Sequence, residues 1–156
     1  MMSETLKKQN YSLLDLLAKV EYALLALLEL ASCSARKTPM TMSDISAKHP
    51  IPERYLEQIL TSLRCAGVVQ SQRGSKGGFI LTREPWQLTL LEVVIMLDGE
   101  QKEKESLAEN TLEQKLLRDI WHEADSSAQA VLSQYTIQDL CEQREARLQQ
   151  SEMYYI

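Results

Sequence analysis

The sequence predicts a mainly α-helical protein with one small two-stranded hairpin, on three observations. Apolar residues recur at helical spacing over most of the chain, in runs near 13–31, 55–63, 90–97 and 112–135. The five glycines and four prolines all fall between Pro39 and Gly99, leaving long breaker-free segments on either side. Two short β-prone runs, 68–72 and 78–82, flank the loop Arg73-Gly74-Ser75-Lys76-Gly77. The stretch Ser43–Thr82 therefore runs helix, proline-bounded turn, helix, glycine-rich hairpin, which is the pattern of a winged helix-turn-helix.

Residues 1–10 are polar and are expected to fray. A long Leu-rich helix follows from Leu13 to Ala31, interrupted by Asp15, Lys19, Glu21 and Glu29. It is apolar around most of its circumference, so a central position covered on more than one side is expected. Thr41 or Ser43 can cap the next short helix, and Asp44 suits its positive end. His49 and Ile51 each precede a proline, which pushes both towards extended backbone and breaks that helix. From Glu53 to Ala66 the chain is amphipathic: Leu56, Ile59, Leu60 and Leu63 face a core, while Arg54, Glu57, Gln58, Thr61 and Arg64 face outward. Gly67 stops it, and the hairpin follows.

Thr89 with Glu92 three residues on has the form of a capping box for a helix from Leu90 to Asp98. That helix is expected to bury Leu90, Leu91, Val93, Val94, Met96 and Leu97. The polar run 99–110 reads as a linker loop between a head, 11–98, and a C-terminal region, 111–150. Thr111 caps a long helix whose stripe includes Leu112, Leu116, Ile120, Trp121, Ala124, Ala128 and Val131. So small a domain cannot cover such a stripe alone. The stripe either meets its own copy across a two-fold axis, making this a dimerisation helix, or packs back on 13–31, or does both. Thr136 starts a short last helix with Ile137, Leu140 and Cys141 inward, followed by a charged tail from Glu142.

Charge locates the working face. The whole chain carries −5, yet Arg36–Trp86 holds eight basic against four acidic residues, and the remainder nine against eighteen. A basic head on an acidic protein suits a surface that meets phosphate. A helix fits the major groove and offers its N-terminal residues to base edges. There Arg54 can pair with guanine, Gln58 with adenine and Glu57 with cytosine, while the Tyr55 hydroxyl suits phosphate. Arg73 and Lys76 put two cations at the hairpin tip, and Gly74, Gly77 and Gly78 let its backbone turn and approach closely. The tip lacks the order of a nucleotide phosphate loop. A winged helix can also bind protein, and an interaction module is the competing reading; its affinity need not fall with salt as phosphate binding must.

Other function classes find little support. No nucleophile–base pair or metal-protease motif occurs, and His49 and His122 are isolated, so no catalytic residue and no enzyme are expected. No apolar run reaches the ~18 residues of a membrane span and the N-terminus has no secretory pattern, so a cytoplasmic protein is expected. Cys33, Cys65 and Cys141 lack any compact ligand spacing and read as reduced thiols.

The chain resembles the Rrf2 family of bacterial transcription regulators. The resemblance rests on four segments in order: Tyr22–Ala31 (YALLALLELA); Ile45-Ser46 followed by Tyr55–Leu60; Leu63–Val69 (LRCAGVV); and Arg73–Phe79 (RGSKGGF). It implies a homodimer of winged helix-turn-helix heads that binds a pseudo-palindromic operator, and the expected regulator is a repressor. It also implies base contacts by Arg54, Glu57 and Arg73, with Tyr55, Gln58, Gly74, Lys76, Gly77 and Gly78 close to DNA. Arg54 replaces a small hydroxyl residue common at its position, which points to a different operator preference. Many members hold an iron–sulfur cluster with three cysteines after the wing; here Asp98–Thr111 contains none. No cluster of that kind is expected, and a small molecule, a protein partner or a thiol is the expected input.

Overall fold

The computed structural model describes residues 17–32, 38–98 and 111–154. Helix α1 covers 17–32, followed by α2 (Met42–Lys48) and α3 (Glu53–Cys65). Strands β1 (Val69–Gln72) and β2 (Gly78–Leu81) and a 3-10 turn (Pro85–Gln87) come next. Then come α4 (Leu90–Asp98), α5 (Leu112–Ser133) and α6 (Ile137–Tyr154). The expected linker, 99–110, lies outside the described residues, as do Cys33 and residues 13–16 of the first expected helix.

Local chemistry sets most boundaries. Thr41, not Ser43, caps α2: its hydroxyl accepts from the Asp44 N–H at 3.1 Å and its own N–H donates to the Asp44 carboxylate at 3.0 Å. Each bond satisfies a donor that the helix start leaves without a partner. Thr89 and Thr111 cap α4 and α5 in the same way, accepting from the Glu92 and Gln114 N–H groups at 3.2 Å. Thr136 and Asp139 form a full capping box at the start of α6. Helix α3 ends at Gly67, whose φ of 78° only glycine adopts without strain.

The strands pair antiparallel, Val69 opposite Leu81 and Gln72 opposite Gly78. One further partner was not legible in the sequence. Met40, just before α2, bridges Phe79 with two backbone bonds of 3.0 and 2.7 Å, fastening the hairpin to the head. The core lies between α1 (Ala23, Ala26, Leu27, Leu30), α2 (Ile45) and the expected inner face of α3 (Leu56, Ile59, Leu60, Leu63), closed by Val68, Val69 and Leu88.

The C-terminal half departs from expectation at α4 and α6, and selects between the alternatives left open for α5. In α4 only Leu90 and Val93 are fully buried; Leu91, Val94, Met96 and Leu97 are half-buried and Ile95 is exposed. Helix α5 does not lie back on α1 and has no buried residue. Helix α6 takes that place. It is 18 residues long rather than short, because Glu, Gln, Arg, Ala and Leu continue a helix past Glu142 with no glycine or proline to stop it. A two-bond stitch fixes the joint between the two helices. The Leu90 N–H donates to the Tyr135 carbonyl and the Ile137 N–H to the Leu88 carbonyl, both at 3.0 Å, which pins the α5–α6 corner to the head and buries Ile137 completely.

Glu29, one of two acids in α1, is the one buried charged side chain among the described residues, 4% exposed. Its Oε1 accepts from His49 Nε2 at 2.9 Å and from an Arg144 guanidinium nitrogen at 3.0 Å, and Lys48 Nζ lies 3.3 Å from Oε2. Burial pushes this carboxyl up, but the His49 bond, then Lys48 and Arg144, outweigh burial and hold it below its ordinary 4.5. A carboxyl with a depressed folded pKa stabilises the fold above its unfolded value, and that contribution disappears as pH falls through the folded value. Thermal unfolding midpoints should therefore drop as pH falls below 4.5, and the drop should be smaller in Glu29→Gln. An unchanged acid limb in that variant would show that Glu29 does not carry it.

Candidate nucleic-acid interface

The inner residues of α3 dictate its outer ones. With Leu56, Ile59, Leu60 and Leu63 buried, the residues at complementary positions, Arg54, Glu57, Gln58 and Thr61, are exposed along one face. Arg54, Glu57 and Gln58 occupy its first two turns, where a groove-reading helix makes base contacts. Thr61 spends its hydroxyl locally, donating to the Glu57 carbonyl at 2.8 Å. Tyr55 is half-buried, with its ring centroid 5.9 Å from that of Tyr22 and tilted by 49°. It helps to seat α3 on α1.

The hairpin carries the second part of the surface. Arg73, Gly74 and Lys76 are exposed at its tip, and Gln70, Ser71 and Gln72 are exposed along β1. Those three strand residues were not singled out from sequence, although their polar run beside the tip was a usable signal. Gly77 closes the tip by donating its N–H to the Gly74 carbonyl at 3.0 Å; a Cβ there would lie 2.4 Å from the Gln72 carbonyl oxygen. Gly78 has φ 152°, and a Cβ there would lie 2.6 Å from the Met40 carbonyl carbon and oxygen. Only a residue without a side chain lets β2 pass this close to the start of α2.

The cations of this surface remain available. None of the ion pairs among the described residues uses Arg54, Arg73 or Lys76, whereas Lys48, Arg83 and Arg144 are engaged. Two separate elements, α3 and the hairpin, thus present cations that no ion pair among the described residues engages, Arg54 beside the exposed Glu53 and Glu57 and Arg73 with Lys76 at the tip. Such a surface suits a polyanion with readable edges.

A second surface is apolar. Leu112, Leu116, Ile120, Trp121 and Val131 are 51–74% exposed on α5, with Ala124 and Ala128 exposed between them. A contiguous exposed face of large apolar residues marks an interaction site.

The family model for Rrf2, described as an iron-dependent transcriptional regulator, matches residues 16–143. The chain belongs to the Rrf2 family. It is 31% identical to the HTH-type transcriptional regulator CymR of Bacillus subtilis over 138 residues, which cover 88% of this chain and 96% of that protein. It is 45% identical to an Rrf2-like HTH-type regulator of Rhodobacter capsulatus, over 52% of this chain and about half, 55%, of the relative. Among solved structures, T. potens IscR superposes with a TM-score of 0.68 at 28% identity, over 83% of this chain and 87% of that one. The B. subtilis CymR structure superposes with a TM-score of 0.64 at 31% identity, over 80% of this chain and 93% of that one. This Rrf2 protein is accordingly a winged helix-turn-helix, DNA-binding transcriptional regulator. No helix among its described residues is long and apolar enough to cross a membrane.

Proposed function

We propose that the protein binds a pseudo-palindromic operator as a homodimer in the cytoplasm and represses by occupying it. In this reading Arg54, Glu57 and Gln58 enter the major groove, Arg73 and Lys76 of the wing reach the adjacent backbone or minor groove, and the bare face of α5 joins two copies. The observation that carries it is that Arg54, Arg73 and Lys76, exposed on two elements fastened to one core, enter no ion pair among the described residues. No catalytic role is assigned to any residue.

Selection of bound fragments from the host genome with purified protein supplies the operator. On the selected duplex, Arg73→Ala should weaken binding by about 1–3 kcal/mol if Arg73 reads a base, measured by gel-shift titration. Lys76→Ala should weaken all sequences alike and lower the salt slope by about one. Affinity that does not fall with salt would instead favour a protein-docking module.

We further propose that the input is a small molecule, a protein partner or a thiol rather than a family-type iron–sulfur cluster. Thiolates are the usual ligands of such a cluster, and Asp98–Thr111 supplies none. The two described thiols do not fit the group. Cys65 is exposed in the last turn of α3, while Cys141 is half-buried on α6, where burial first of all pushes its thiol up, away from the thiolate. Protein purified without oxygen should contain no stoichiometric iron and sulfide; finding both would reverse this assignment.

A further inference from the structure

We propose that Glu29 is a positioning residue for operator binding, coupling the C-terminal helix α6, through Arg144, to the turn that sets the recognition helix, through Lys48 and His49. The proposal rests on the DNA-binding reading above. A buried carboxylate is costly unless fully paired, and α1 would pack as well or better with an apolar residue at this position. Its partners come from two places far apart in sequence. Lys48 ends α2 and His49 follows it, directly before Pro50-Ile51-Pro52 and the first residue of α3, Glu53. Arg144 is 115 residues from Glu29.

The backbone shows why His49 matters to the turn. Its N–H caps α2 by donating to the Ile45 carbonyl at 3.0 Å, and its carbonyl accepts from the Ile51 N–H at 2.7 Å. A shift of His49 is therefore a shift of the segment that aims α3. On the other side, α6 is pinned at Ile137, and Arg144 lies two turns further along the same face. Arg144 is also the last residue of α6 that is not exposed: every described side chain from Glu145 to Met153 faces solvent. Beyond it only Arg147 still lines the cavity that α6 shares with α1. The second terminal nitrogen of Arg144 donates to the Ser32 hydroxyl, which donates in turn to the Leu28 carbonyl at 3.0 Å. His49 and Arg144 share a single oxygen, Glu29 Oε1. Any displacement of α6 that removes Arg144 takes a cation away from the carboxylate oxygen that holds His49. The two DNA-distal and DNA-proximal halves thus meet at one atom.

The decisive variant is Arg144→Gln, compared with wild type on the selected operator at a temperature where both are folded. Coupling predicts at least about a five-fold loss of affinity, the lower end of usual inter-site coupling. It also predicts an unchanged salt slope, because no phosphate contact is lost. Glu29→Gln combined with Arg144→Gln should bind no more weakly than the weaker single variant, and Arg144→Lys should recover most of the loss. Wild-type affinity in folded Arg144→Gln would overturn the proposal, as would additive losses or a salt slope lower by about one, which marks direct phosphate contact. Amide hydrogen exchange gives a DNA-independent reading. Faster exchange at 49–58 in Arg144→Gln supports the coupling even if the selected DNA proves not to be an operator, and unchanged exchange there overturns it. These two tests stand if Glu29→Gln does not fold.

Discussion

Leu116→Glu combined with Ile120→Glu is expected to leave the protein folded but monomeric. Both side chains are more than half exposed, and α5 buries none of its residues against its own chain. Two charges there cost the protomer little. The Thr111 cap and the Leu88–Leu90 stitch to Tyr135–Ile137 are untouched. In a dimer the same positions lie under the partner's apolar face, where four unpaired carboxylates, two from each copy, cannot be accommodated. Losing the dimer turns one bivalent binding event into two independent ones, so operator affinity should fall about 10²- to 10⁴-fold. Sedimentation and a gel shift on the intact and half operator check both parts. A dimer that survives would place the interface elsewhere, and α5 would then need a different partner.

The second large effect is expected at Gly78. Gly78→Ala forces a Cβ to within 2.6 Å of the Met40 carbonyl, and the atoms it meets are backbone atoms that cannot swing aside. Its φ of 152° adds a conformational cost of about 1–3 kcal/mol for any other residue. Relief requires β2 to withdraw from Met40, breaking the bridge at Phe79 that holds the wing against the start of α2. Both stability and operator binding should fall, and the binding loss should persist at temperatures where the variant is fully folded. Gly74→Ala is the control: its φ of 113° is also unfavourable, but the space around it is open, so the wing keeps its attachment. Equal operator binding by Gly78→Ala and wild type would show that wing placement does not contribute to recognition.

Legibility in the sequence followed the range of the physics. The outer face of α3 was readable because its four buried leucine and isoleucine positions fix the phase of the helix, and phase alone places Arg54, Glu57 and Gln58 outside. The tip was readable because three glycines and two cations within six residues leave few alternatives. Tyr55 shows the limit. Its position near the exposed face was apparent, but its packing on Tyr22 depends on where α1 crosses α3. The last helix shows another: past Glu142 it carries no apolar stripe to mark it, and its length follows from the helix propensity of its Glu, Gln, Arg and Ala residues alone.

By itself the sequence determined the helix starts, the stops at glycine and proline and the hairpin, because each of these depends on residues within a few positions of one another; it determined the family through four such local segments occurring in order. Only the tertiary structure decided that α6 rather than α5 docks on α1: both carry apolar residues at helical spacing, and it is α6 that shares a cavity with α1 and bonds Glu29 through Arg144, while α5 buries none of its residues. It also decided the role of Glu29. An acid in an apolar helix announces a buried charge, but its partners, Lys48, His49 and Arg144, are chosen by packing across 115 residues, and the free energy of pairing depends on a distance that no local pattern encodes.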